Sequence, residues 1–134
     1  MSDEELLNIA KMARKNAYTP LTGYSVGAAL LSKNGTVYIG TNVEINSGIA
    51  ISNCAERVAI QNAFSHGERE FCKIAIVGGK KNSQEIDGTL TPCGACLQYI
   101  LEMCKNVDII CYIKGKVEVN KVTDFLTAPY EFKK

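Results

Sequence analysis

One cysteine stands in Asn53-Cys54-Ala55-Glu56-Arg57, and two more follow 39 and 42 residues later in Thr91-Pro92-Cys93-Gly94-Ala95-Cys96. Each run opens an apolar helical pattern, so a single site using all three thiols requires two helix starts to meet. Three thiols are an odd number for disulfides. They suit a tetrahedral metal that keeps its fourth position open, which is the layout of a catalytic zinc rather than a closed structural one. Helix N-termini also carry free N–H groups and positive dipole ends, which favour thiolate over thiol. Seen alone, Cys93-x-x-Cys96 would serve equally as a redox pair or half of a structural site.

The rest of the composition removes other classes of function. At 134 residues the chain fits one domain, residues 1–134, with enough length to bury a real core. Net charge is +1 at pH 7, which leaves no electrostatic footprint for wrapping nucleic acid or coating an anionic membrane. No apolar run approaches the length of a spanning helix. The opening MSDEELLNIA lacks the layout of a signal peptide. A cytoplasmic, reducing location is therefore expected, where the six cysteines are thiols, ligands or core residues rather than disulfides. Cys72, Cys104 and Cys111 sit inside apolar patterns and are expected to be small buried hydrophobes.

Pattern and punctuation place the elements. Ser2 with Glu5 forms a capping box, followed by an apolar stripe to about Ala17. VGAALLS and TVYIGTN flank Lys33-Asn34-Gly35, the signature of a hairpin. CAERVAIQNAF reads as a helix ended near His66-Gly67, and CKIAIVGG as a buried strand. Pro92 can occupy the first turn of a second central helix, GACLQYILEMC. VDIICYI and KVEVN are further strands, and VTDFL a brief helix. A hairpin followed by alternating helices and strands predicts an α/β layer sandwich with a mixed sheet.

Glu56 is the acid that gives the thiols a purpose. It lies two residues after Cys54, where its side chain can turn toward the open metal position. Hydrolytic deamination needs a zinc-activated water and a carboxylate that carries its proton to a ring nitrogen, then to the departing ammonia. Three thiolates leave the metal site with net negative charge. An adjacent, permanently charged arginine such as Arg57 can offset that by hydrogen bonding to sulfur. His66 falls at a helix end and is expected at the surface.

In combination, CAER and TPCGAC resemble the zinc-dependent cytidine deaminase family. The similarity extends over nearly the whole chain: YTPLTGYSVGAALLSKNG, GTNVE, CAERVAIQNAF and TPCGACLQYI each resemble a segment of the small, free-nucleoside members. The resemblance implies a three-layer α/β/α sandwich around a central mixed five-stranded sheet. It implies Cys54, Cys93 and Cys96 as ligands to one zinc per chain, Glu56 as proton shuttle and Arg57 as the thiolate-bonding cation. It assigns Asn42 and Glu44 to the ribose 3′-hydroxyl, the Ala55 N–H to the pyrimidine 2-oxo group, and Tyr24 to the aromatic place beside the nucleoside. It further implies a homotetramer with active sites at subunit interfaces, acting on cytidine and 2′-deoxycytidine in pyrimidine salvage.

Three departures from the family pattern concern the substrate end. INSGIAISN, between Glu44 and Cys54, is about one residue longer than usual; Leu97 replaces a common arginine; and the tail reads DFLTAPYEF. Either Tyr130 or Phe132 could then be the aromatic that closes a neighbour's pocket. A sister enzyme acting on a cytosine-bearing antibiotic of the blasticidin S type shares the zinc site and is the nearest alternative. A polynucleotide deaminase would need a basic stripe or aromatic platform, which is not evident. A zinc-stabilised binding module would need a fourth cysteine and leave Glu56 idle, and a thiol oxidoreductase would leave both Cys54 and Glu56 without a role.

Overall fold

Ser2 begins the first helix as the sequence predicts: its hydroxyl accepts from Glu5 N at 3.1 Å, and the Glu5 carboxylate accepts from Ser2 N at 3.1 Å. The computed structural model describes residues 1–48, 51–131 and 133. Helix α1 (Asp3–Ala13) ends earlier than the predicted Ala17, because Arg14–Asn16 tighten into a 3₁₀ turn. Beyond that turn Tyr18 is drawn off the helical path to pair with Val43.

Strands β1 (Tyr24–Ser32) and β2 (Val37–Thr41) form the predicted hairpin, with Gly35 taking φ +92° at its turn. Helix α2 (Ala55–Ser65), β3 (Phe71–Lys80), α3 (Gly94–Cys104), β4 (Asp108–Ile113), β5 (Lys116–Lys121) and α4 (Val122–Phe125) follow. The five strands lie in the order β2-β1-β3-β4-β5, and only β3 and β4 run parallel, joined by the α3 crossover.

Strand alternation divides the core between two faces. Leu6, Leu7 and Ala10 of α1 bury against Ala29, Leu31, Ala75, Val77 and Ile110. On the opposite face, Ala59, Ile60 and Ala63 of α2 and Leu97 and Ile100 of α3 pack on Leu30, Ile74, Ile76 and Ile109. The result is the expected α/β/α sandwich. Gly40 lets α2 lie directly on β2, since a Cβ there would run into Ala55 O and Ala59 N. Leu97, the departure noted above, belongs to this core.

Two local expectations are corrected. Pro92 lies before the N-cap, Cys93, rather than in the first turn of α3. Cys72 is exposed, while Cys104 and Cys111 are buried as expected. The strand pattern misplaces Cys72 because the β1–β3 register shifts at Leu31/Ser32, so Ser32 pairs with Phe71 and Cys72 lies where the shift falls. All six cysteines are free. His66 caps the C-terminus of α2 with Nδ1 2.8 Å from Asn62 O, at the surface. Among the described residues no helix is long and apolar enough to cross a membrane.

Candidate active site

The two helix starts do meet. Cys54 is the N-cap of α2 and Cys93 the N-cap of α3, both with extended backbone, and Cys96 follows in the first turn of α3. The sulfurs of Cys54, Cys93 and Cys96 all lie within 4.8 Å of one another. Three sulfurs bonded to one tetrahedral zinc at about 2.3 Å stand roughly 3.8 Å apart, a spacing compatible with this trio. Among the described residues, no fourth His, Cys, Asp or Glu joins the group. That donor set fits an open zinc site and is short one ligand for a closed structural one.

Charge has already begun to arrange itself for a metal. The Cys54 thiol is held well below the ordinary thiol range by a hydrogen bond from the Cys96 thiol and by Arg57. Cys96, buried and acting as donor in that pair, is pushed well above the ordinary thiol range. Metal binding would release that proton, because only thiolates ligate. Arg57 Nη2 donates to Cys54 Sγ at 3.3 Å, while its Nε is buried without a partner among the described residues.

Glu56 is 5% exposed, and burial raises its carboxyl to about 7, with the Cys54 charge adding to the rise. A carboxyl poised near neutrality can both take and return a proton. Glu56 lines a hollow of about 180 Å³ together with Cys54, Cys93, Cys96, Ala55 and Asn42. Val26, Ile76, Leu90 and Thr91 complete its wall; none was singled out from the sequence, although Thr91 stands directly before Pro92-Cys93. Two larger hollows, of about 390 and 340 Å³, lie elsewhere on the molecule, each with four lysines or arginines in a mixed lining.

The remaining residues of interest divide. Asn42 lines the hollow, its amide fixed by accepting from Val26 N at 2.9 Å and donating to Tyr24 O at 2.8 Å. Ala55 is fully buried at the first position of α2, where a backbone N–H has no intrahelical partner. Glu44 does not line the hollow. Its buried carboxylate accepts from Leu21 N (3.0 Å), Thr22 N (3.1 Å) and the Thr22 hydroxyl (2.6 Å), and these bonds, the hydroxyl first, hold its pKa down. Tyr24 lies behind the wall and donates its hydroxyl to Asp87 Oδ2 at 2.6 Å. Tyr130 is tied to α3 by Gln98, which accepts from its N–H and donates to its carbonyl, leaving the ring exposed. Phe132 lies outside the described residues.

Comparison with known proteins bears on this geometry. Residues 1–112 match the family model described as the cytidine and deoxycytidylate deaminase zinc-binding region. A cytidine deaminase of Sporosarcina psychrophila is 40% identical over 133 residues, covering 97% of this chain and 92% of the relative. One from Halalkalibacterium halodurans is 41% identical over 104 residues, 78% of this chain and 74% of the relative. The crystal structure of cytidine deaminase from Burkholderia pseudomallei superposes with a TM-score of 0.85 at 37% identity, covering 97% of this chain and all of that one.

Proposed function

The chain belongs to the family of the cytidine and deoxycytidylate deaminase zinc-binding region, and from that premise we propose that it hydrolyses cytidine and 2′-deoxycytidine to the uracil nucleosides and ammonia. The observation that carries this reading is the convergence of Cys54, Cys93 and Cys96 beside the buried carboxyl of Glu56 in one hollow. As one domain, the chain has Cys54, Cys93 and Cys96 to hold one zinc and Arg57 to donate to sulfur. Zinc bound there supplies a water acidic enough to act as nucleophile near neutral pH.

Glu56 takes the proton of the attacking water and delivers it to the pyrimidine ring nitrogen; the second proton of that water, now on the hydroxyl bonded to the ring carbon, passes by the same carboxyl to the amino group, which leaves as ammonia while the carbonyl forms. Ala55 offers its free N–H to the 2-oxo group. Val26, Ile76 and Leu90 give the base an apolar wall. Asn42 and Glu44 are assigned to the ribose 3′-hydroxyl, and Tyr24 to the nucleoside side of the site, where it backs Leu90 of the wall. Asn42 already lines the hollow, and Glu44 is pre-charged and held still by Thr22.

The hollow of about 180 Å³ falls below the roughly 300 Å³ at which ligand sites usually begin. That shortfall supports a homotetramer in which a neighbour completes each pocket. A cytoplasmic place in pyrimidine salvage follows from the nucleoside substrate. The direct test is ammonia release from cytidine, 2′-deoxycytidine and a cytosine-bearing antibiotic. Turnover of the two nucleosides is expected, and turnover of the antibiotic alone would overturn the assignment.

A further inference from the structure

The hollow beside the thiols owes one wall to a segment with no regular structure. Lys81–Cys93 joins β3 to α3 and carries Leu90 and Thr91 into the site. It is moored to the end of β4 and the β4–β5 turn: Leu90 N donates to Tyr112 O at 3.0 Å, Lys114 N to the Thr89 hydroxyl at 2.8 Å and Gly115 N to Gly88 O at 2.8 Å. These bonds fix the course of the chain. They do not fix the direction of the Leu90 side chain.

What does so lies on the other side of Leu90. Above Gly78 of β3, a Cβ would come within 2.7 Å of Leu90 Cδ2 and within 2.8 and 2.9 Å of Tyr24 Oη and Cε2. The Leu90 methyl and the Tyr24 phenol therefore share the space that glycine leaves open. With no side chain beneath it, the phenol must be held from its far end. Asp87 does this: it accepts the Tyr24 hydroxyl at 2.6 Å while its own N–H donates to Gly78 O at 2.8 Å. Asp87 thus anchors one partner of Leu90 to the strand that seats them both.

We propose that Asp87 is a positioning residue for nucleoside binding: through the Tyr24 hydroxyl it holds the phenol against Leu90 and so sets the wall that meets the substrate. The proposal rests on the deaminase reading above. Burial and the bond to Asp87 both push the Tyr24 phenol above its ordinary range, which gives the contact a signature independent of turnover.

The test uses zinc-loaded enzyme with cytidine, comparing wild type, Asp87→Ala, Asp87→Asn, Tyr24→Phe and the Tyr24→Phe/Asp87→Ala pair. Asp87 is exposed, so its replacement leaves the core intact. Asp87→Ala is expected to raise KM about fivefold, the value of one ordinary hydrogen bond, with kcat within about twofold. Asp87→Asn keeps an acceptor oxygen and should restore most of the KM. In the Tyr24→Phe background, Asp87→Ala should have little further effect, because the shared contact is already lost. An unchanged KM in Asp87→Ala, a loss confined to kcat, or an undiminished effect in the Tyr24→Phe background would overturn the proposal. The near-ultraviolet absorption band of Tyr24 at neutral pH, assigned by its loss in Tyr24→Phe, separates this outcome from failure of the deaminase reading. In Asp87→Ala the band should shift, as the hydroxyl loses its acceptor, whether or not cytidine is the substrate, and an unmoved band sinks the contact itself.

Discussion

Arg57 Nη2 donates to Cys54 Sγ at 3.3 Å, reaching back from the first turn of α2 to the residue that caps it. This places a permanent positive charge on the thiolate that the same helix start already favours. Three thiolates around one divalent ion leave a net negative charge, which would make a coordinated water less acidic. Replacing Arg57 with Gln removes the charge and keeps a donor. Activity or zinc affinity should fall roughly 10- to 100-fold, the usual effect of removing a group that bonds a ligand. The acidic limb of the pH–rate profile should move upward. A profile that stays in place would show that the arginine only organises the helix start.

Glu56→Gln isolates the proton transfer. Gln has the size and polarity of the carboxyl but cannot shuttle a proton, so turnover should fall on the order of 10²–10⁴-fold or more. Zinc content and fold should persist, because Glu56 is not among the three clustered thiols. X-ray absorption of the variant and of wild type should show three sulfurs and one light atom around zinc. A fourth sulfur, or a variant of near-normal activity, would contradict the assigned roles.

Glu44 provides a test in stability and its dependence on pH. Its folded pKa lies below the ordinary 4.5, chiefly through the Thr22 hydroxyl and the backbone N–H groups of Thr22 and Leu21. A depressed folded pKa means the unfolded chain binds the proton more readily. The stabilisation is therefore fully present above about 4.5 and drains away as pH falls through the lower folded value. Wild type should have a higher unfolding midpoint than Glu44→Gln at neutral pH, and the two should converge in acid. Parallel curves across that range would mean the carboxylate contributes nothing as a charge.

Much of this site is visible in the sequence because its parts are local. A cysteine one residue before a helix, a glutamate two residues later and a proline-led Cys-x-x-Cys are all fixed by helix-start geometry, and Cys54 and Cys93 each cap a helix, although Pro92 stays outside the first turn. What was not legible depends on partners far away in the chain. Tyr24 finds Asp87 63 residues on, and Leu90 becomes a pocket wall only because Gly78 leaves space behind it. Cys72 defeats the strand pattern for a similar reason, since its exposure follows from a register shift against β1. Periodicity reports which face a residue shares; it does not report where a pairing slips.

Assembly is the last prediction, and the exposed apolar residues argue for it. Tyr18 pairs with Val43, and Val43 with Asn53, so this irregular ribbon leads directly to Cys54. Along or beside it, Tyr18 (58%), Val43 (39%) and Ile51 (65%) face solvent in the single chain. Tyr130, held on α3 by Gln98 through its backbone alone, is 67% exposed. Burying such groups against copies of the same chain would remove apolar area from water at about 25 cal/mol per Å² and enlarge an undersized pocket. Closed point-group symmetry is the normal outcome of such contacts. Light scattering of the active enzyme should therefore give a mass near four chains. Removing the residues after Ala128 should weaken nucleoside binding more than zinc binding, because Tyr130 is tied to Gln98 of α3 and is not among the three clustered thiols. A protein that is monomeric and fully active at nanomolar concentration would defeat the prediction, and so would a truncation that releases zinc while leaving KM unchanged.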